Sequence, residues 1–220
     1  MNTYKIAARV FGVFFFIAFL SYGTGSELVE SIVNVPDFLY NISDNKTTMV
    51  IGVVLMAIIH TIVTIGLAVI MLPVLKPFNN TLSYGYLSAA ITASVILVVG
   101  TIFLLLLLPL SDAYLKLGAT DTSAFEIIGS VLKKGGFLSY QIGMAIWGCG
   151  GLLFCSLLYQ SKLVPRFMSI WGFIGYIVFI SGTIFELFGY TIGVLLSAPG
   201  GLFEIFLSTW LIIKGFNTST

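Results

Sequence analysis

Apolar residues gather along the chain into six long stretches separated by shorter polar intervals. Each stretch can cross about 30 Å of hydrocarbon, which takes about 20 helical residues. The pattern predicts membrane helices over 7–27, 49–72, 83–110, 137–159, 169–188 and 194–213. The expected fold is therefore all-α and polytopic, a single transmembrane domain over 1–220 built as a six-helix bundle. Lys5 and Arg9 precede the first stretch in the manner of a signal peptide, but the apolar run continues to Tyr22 with no small-x-small cleavage site, so a retained first helix is expected.

An even number of crossings puts both termini on one side. The terminal segments with the second and fourth intervals hold six basic residues (Lys5, Arg9, Lys76, Lys162, Arg166, Lys214), against four in the first and third (Lys46, Lys116, Lys133, Lys134). The loop acids Glu30, Asp37, Asp44, Asp112, Asp121 and Glu126 all fall opposite the termini. This asymmetry predicts an N-in, C-in topology. Intervals 73–82 and 160–168 are tight and contain Pro77 and Pro165, which makes segments two and three, and four and five, antiparallel neighbours. Interval 28–48 reads as a polar loop; in 111–136, Phe125, Ile128 and Leu132 recur at helical spacing and predict a short interfacial helix.

Composition narrows the function classes. Hydrophobic residues make up 58% and charged residues 9% of the chain, against roughly 25% charged in soluble domains. Mean hydropathy is +1.08. A formal net charge of +1 offers no basic face to a phosphate backbone, so nucleic acid is not an expected partner. The expected partners are membrane lipids, a small apolar ligand or cation, a second copy of the chain, or a larger membrane complex. Cys149 and Cys155 lie about 9 Å apart along one helix and cannot bridge each other; both read as buried thiols.

Candidate chemistry rests on a few polar residues at membrane depth. Glu204 interrupts the last apolar run, and a charged carboxylate at the bilayer centre costs about 2.5–3.5 kcal/mol on insertion scales. It must be neutral, partnered or wetted by a cavity. If segment six starts near Val194, Glu204 is at the midplane; if Pro199 is its first residue, Glu204 is close to the outer surface. Gly200, Glu204 and Ser208 share one helix face. Glu186 ends a glycine-bearing face of segment five, Gln141 sits on a small and polar face of segment four, and His60 is the one histidine, central in segment two. These residues could be hydrogen-bonded links between helices, the lining of a ligand or ion cavity, or proton-exchanging groups.

Other chemistries lack their residues. A zinc hydrolase, a diiron centre or a bis-His haem needs ligands that one histidine cannot supply. There is no Ser-His-Asp set or nucleotide motif, and Gly148-Cys149-Gly150-Gly151 reads as close helix packing. No catalytic residue, metal or cofactor is expected.

Several stretches carry a family resemblance: Ala8-Arg9-Val10-Phe11-Gly12, Pro73-Val74-Leu75-Lys76, the Leu163-Val164-Pro165-Arg166 turn, Phe203-Glu204, and Trp210-Leu211-Ile212-Ile213-Lys214-Gly215-Phe216. With them the chain resembles, over essentially its whole length, the membrane family labelled domain of unknown function 4386. The resemblance implies a six-helix bundle in the bacterial cell membrane and brings no established activity. Members of that family often carry an Arg and a Glu three residues apart early in segment three, where this chain has Ala90 and Ala93, so a role built on that pair does not transfer.

Together these features point to a non-enzymatic membrane protein. The expectation is that it binds a small apolar or amphipathic ligand, or senses membrane state, through an outward-facing cavity lined by Glu204, Glu186, His60, Ser208 and Gln141. The alternatives are a small proton-coupled carrier and an accessory subunit of a larger complex.

Overall fold

A computed structural model describes residues 3–117 and 123–217. Asp121, counted among the loop acids, lies outside the described residues. The described chain is helical: α1 (Thr3–Val33), α2 (Phe38–Asp44), α3 (Lys46–Val54), a π-helical turn (Leu55–Ile59), α4 (His60–Leu75), α5 (Asn80–Leu105), α6 (Leu107–Leu117), α7 (Ser123–Ser161), α8 (Arg166–Leu187) and α9 (Gly193–Ile213). Six helical spans are long and apolar enough to cross a membrane: α1, α3 with α4, α5 with α6, α7, α8 and α9.

Each span packs on its neighbours in sequence, and α9 returns to pack on α1, so the six close into a ring. The tight turns 76–79 and 162–165 make α4 with α5, and α7 with α8, the expected antiparallel pairs. A ring of six helices would leave a hole along its axis, and aromatic side chains fill it here. Phe154 of α7 stacks on Phe11 of α1 at 5.4 Å and on Tyr86 of α5 at 5.0 Å. Around this stack Leu67, Met71, Phe203 and Leu211 are fully buried.

Glycines set how closely the helices approach. A Cβ on Gly25 would stand 2.6 Å from the Gly52 carbonyl oxygen, and one on Gly52 2.8 Å from that of Gly25, so α1 and α3 touch backbone to backbone. At Gly148-Cys149-Gly150-Gly151 the glycines face different partners, with Gly148 against Ile180, Gly150 against Ala89 and Gly151 against Tyr176. Cys155 is buried as expected, whereas Cys149 is exposed on the outside of the ring.

The end opposite the termini differs from its sequence reading. At 39 residues, α7 is about 58 Å long, nearly twice the hydrocarbon thickness. The separate interfacial helix expected around Phe125–Leu132 is instead the first part of α7, which runs on through Gly135 and Gly136 where they pack closely on Gly100, Phe103 and Leu104 of α5. Likewise, 28–48 is mostly helix: α1 runs on to Val33, and α2 folds back beneath it. These extensions bury a second apolar cluster that includes Val29, Ile32, Leu39, Ile42, Met49 and Leu107. The last carbonyls of α1 need donors from outside the helix. Asn41 Nδ2 donates to Ile32 O at 2.9 Å, and Lys133 Nζ to Val33 O at 2.6 Å while lying over the Phe38 ring. Lys46 pairs with Asp112 across the same cap.

At the terminal end, the Asn217 backbone N–H donates to Leu163 O at 2.8 Å and its Nδ2 to Lys162 O at 3.2 Å. Phe216 is buried beside Leu163 and Val164 in the same core. The Leu-Val-Pro-Arg turn and the C-terminal Lys-Gly-Phe are thus two halves of one contact.

Candidate functional site

α9 begins at Gly193, with Pro199 inside it rather than at its start. Glu204 is therefore about 16 Å along a helix about 31 Å long, at its middle. Of the two helix starts open to the sequence, the one near Val194 is the one formed. The Pro199 ring removes one helical donor, and the helix continues through it.

Two glycine contacts deliver the partners of Glu204. α8 and α9 meet at Gly175 and Gly200, where a Cβ on Gly175 would stand 3.1 Å from the Gly200 Cα. This approach brings Tyr176, the next residue on α8, within reach of α9. Its ring lies in the space that a side chain at Gly151 would occupy: a Cβ there would sit 2.4–2.5 Å from three ring carbons. The Tyr176 hydroxyl then donates to Glu204 Oε1 at 2.6 Å, and Trp147 Nε1 of α7 donates to the same oxygen at 3.3 Å. Phe203 fills the hollow at Gly172 and meets the Tyr176 ring edge-on at 6.0 Å.

Below the carboxyl is a cavity of about 10 Å³, lined by Phe11, Phe15, Tyr86, Trp147, Gly151, Phe154, Tyr176, Glu204 and Leu207. A void of about 10–15 Å³ is the least that admits one water. No organic ligand fits there. Among the described residues the carboxyl has two neutral hydrogen-bond donors and no ion pair with Lys, Arg or His.

The other expected lining residues stand elsewhere. Glu186 Oε1 accepts from the Gly193 backbone N–H at 2.8 Å and so caps the first turn of α9. A side chain at Gly193 would collide with that carboxylate. His60 follows the π-helical turn, with Nε2 3.3 Å from Thr64 Oγ1 and its ring edge-on to Tyr22 at 5.0 Å. Tyr22 stacks in turn on Tyr140 at 5.6 Å. His60 Nδ1 is buried without a hydrogen-bond partner among the described residues. Ser208 is fully buried one turn past Glu204, its carbonyl 2.6 Å from where a Gly12 side chain would start, and its hydroxyl has no hydrogen-bond partner among the described residues. Gln141 is buried on α7 beside Tyr140.

Glu204, Glu186 and His60 therefore occupy three separate contacts instead of one outward cavity of several hundred Å³. The Gly200, Glu204, Ser208 face does turn toward other helices, meeting α8 and α7 and then α1. The residues that sequence reasoning missed are Tyr176 and Trp147. Both count as aromatics of an interface belt by composition; the signal available for Tyr176 is its position next to Gly175, on a glycine-spaced face. Ala90 and Ala93 are buried in α5.

Six apolar spans closed around an aromatic core and a mid-helix acid define a multi-pass membrane protein of the helical-bundle class. The chain belongs to the family described as Domain of unknown function (DUF4386), which matches residues 10–215. No curated protein and no solved structure matches it.

Proposed function

We propose that this is a non-enzymatic protein of the bacterial cell membrane, inserted N-in and C-in, that senses membrane state through proton exchange at Glu204. The observation that carries this reading is the mid-helix carboxyl bonded, among the described residues, by the neutral donors Tyr176 and Trp147 alone, beside a void for one water. Such a group changes its charge by gaining or losing a proton and by nothing else. Each change alters what Tyr176 and Trp147 hold, and these side chains tie α8 and α7 to α9. The protonation state is thereby coupled to the packing of three of the six spans. A carrier would need a path past the stacked rings of Phe11, Phe154 and Tyr86, which fill the axis of the ring.

The test is tryptophan emission of the protein in lipid vesicles, followed against pH. The wild type should show a one-proton transition that is missing from Glu204→Gln, and Trp147→Phe should remove most of its amplitude. Superimposable pH curves for wild type and Glu204→Gln would refute the proposal.

A further inference from the structure

A second space opens against the apolar surface, away from Glu204. It is a groove of about 310 Å³ between α7 and α8, lined by Cys155, Ser156, Tyr159, Gln160, Ser169, Ile170, Phe173 and Ile174. Small-molecule sites begin at roughly 300 Å³. The groove opens sideways, because Ile170, Phe173, Ile174 and Tyr159 are all exposed on the outside of the ring. Toward the middle of the spans its walls are apolar, with Cys155, Phe173 and Ile174. Toward the terminal end they become polar, with Tyr159, Gln160 and Ser169.

Two features at the polar end ask for a ligand. Ser169 is 1% exposed, and its hydroxyl has no hydrogen-bond partner among the described residues, although it lines the groove. A buried donor left without a partner destabilises the fold, and a ligand that accepts from it removes that cost. One turn away, at the first residue of α8, the Arg166 guanidinium lies over the Tyr159 ring at 5.1 Å. Pro165 supplies no side-chain cap to that helix start. A guanidinium and the free N–H groups of a helix start both favour a phosphate.

We infer that this groove binds one anionic phospholipid, its phosphate on Arg166 and the α8 N-terminus and one acyl chain between α7 and α8. The Ser169 hydroxyl lies about 4.5 Å further along the helix than Arg166. It is placed to donate to an ester carbonyl, the next polar group of a glycerophospholipid after its phosphate. Charge selects the class: a zwitterionic lipid offers the same chain but brings a choline or ethanolamine cation toward Arg166. The site is independent of the Glu204 reading, since it shares no side chain with the Glu204 cavity.

Native mass spectrometry of the full chain in mild detergent tests this, with phosphatidylglycerol or phosphatidylcholine of identical chains added. The expected result is one phosphatidylglycerol retained at least tenfold more tightly than phosphatidylcholine. Arg166→Gln should abolish that preference while leaving chain binding. Ile170→Trp, which fills the groove from an exposed position, should lower retention of both lipids. Melting temperatures without added lipid establish that both variants are folded. Equal retention of the two lipids by wild type overturns the inference, as does undiminished binding by Ile170→Trp. Displacement of the lipid by inorganic phosphate alone would reduce the site to a headgroup contact and overturn it too.

Discussion

Substituting Gly151 by Ala tests the construction of the Glu204 site at its tightest point. In an open helix the change is favourable by about 1 kcal/mol, because glycine is the poorer helix former. Here the new methyl group would stand 2.4–2.5 Å from three carbons of the Tyr176 ring. Ordinary contact requires a retreat of about 1 Å, which stretches the 2.6 Å bond from the Tyr176 hydroxyl to Glu204 beyond hydrogen-bonding range. Overpacking of a filled core costs about 1–3 kcal/mol, and the lost bond about 1–1.5 kcal/mol more. Set against the helix gain, the variant should lose about 2 kcal/mol, or ~4–8 °C in melting temperature for a chain of this length. Gly201→Ala supplies the contrast, since apart from the backbone of its own helix turn no described atom lies within 4 Å of a Cβ there. It should match or slightly exceed the wild type. Thermal unfolding in mild detergent, followed by tryptophan emission, compares the three proteins. A Gly151→Ala protein as stable as Gly201→Ala would show that Tyr176 does not occupy the Gly151 hollow, and the account of the site would fail.

Glu204→Gln should keep the fold, because an amide oxygen can still accept from Tyr176 and Trp147. Glu204→Leu leaves both donors without an acceptor and should lose at least about 2 kcal/mol; equal melting of all three proteins would count against a partnered carboxyl. Lys46 and Asp112 are each nearly half exposed, so a double-mutant cycle should yield a coupling below about 1 kcal/mol that shrinks with salt. A salt-independent coupling of 2 kcal/mol or more would mean that the cap shields this pair from solvent.

Hydropathy made the six spans legible because membrane crossing demands a continuous apolar run, whatever packs on it. It misread the far end for the same reason. Residues 28–48 are too polar to be a span, yet their helices are held by local cluster contacts and by donors such as Asn41 and Lys133, which leave no periodic mark on a hydropathy trace; in 123–136 helical spacing did mark a helix, but not its continuation through Gly135 and Gly136 into the span. Glu204 was visible as a charge out of place. Its partners were not, because an aromatic facing lipid and one facing a carboxyl have the same composition; only the Gly151 and Gly175 contacts separate them. Glu186 and His60 stood beside Glu204 as candidate lining of one cavity, but the helix cap at Gly193 and the turn before α4 assign them to other neighbours.

The seam of the ring joins α1 to α9, the first and the sixth of its spans. Gly12 and Phe11 on α1 must wait for Ser208 and Leu207 on α9, and the tail at Asn217 ties down only after every span exists. Until then one flank of α1 has bilayer lipid where its final partner will be, so assembly cannot finish span by span during insertion. Closure of the ring waits for α9, and a chain halted before it would be an open arc whose aromatic interior is available to any neighbouring membrane helix.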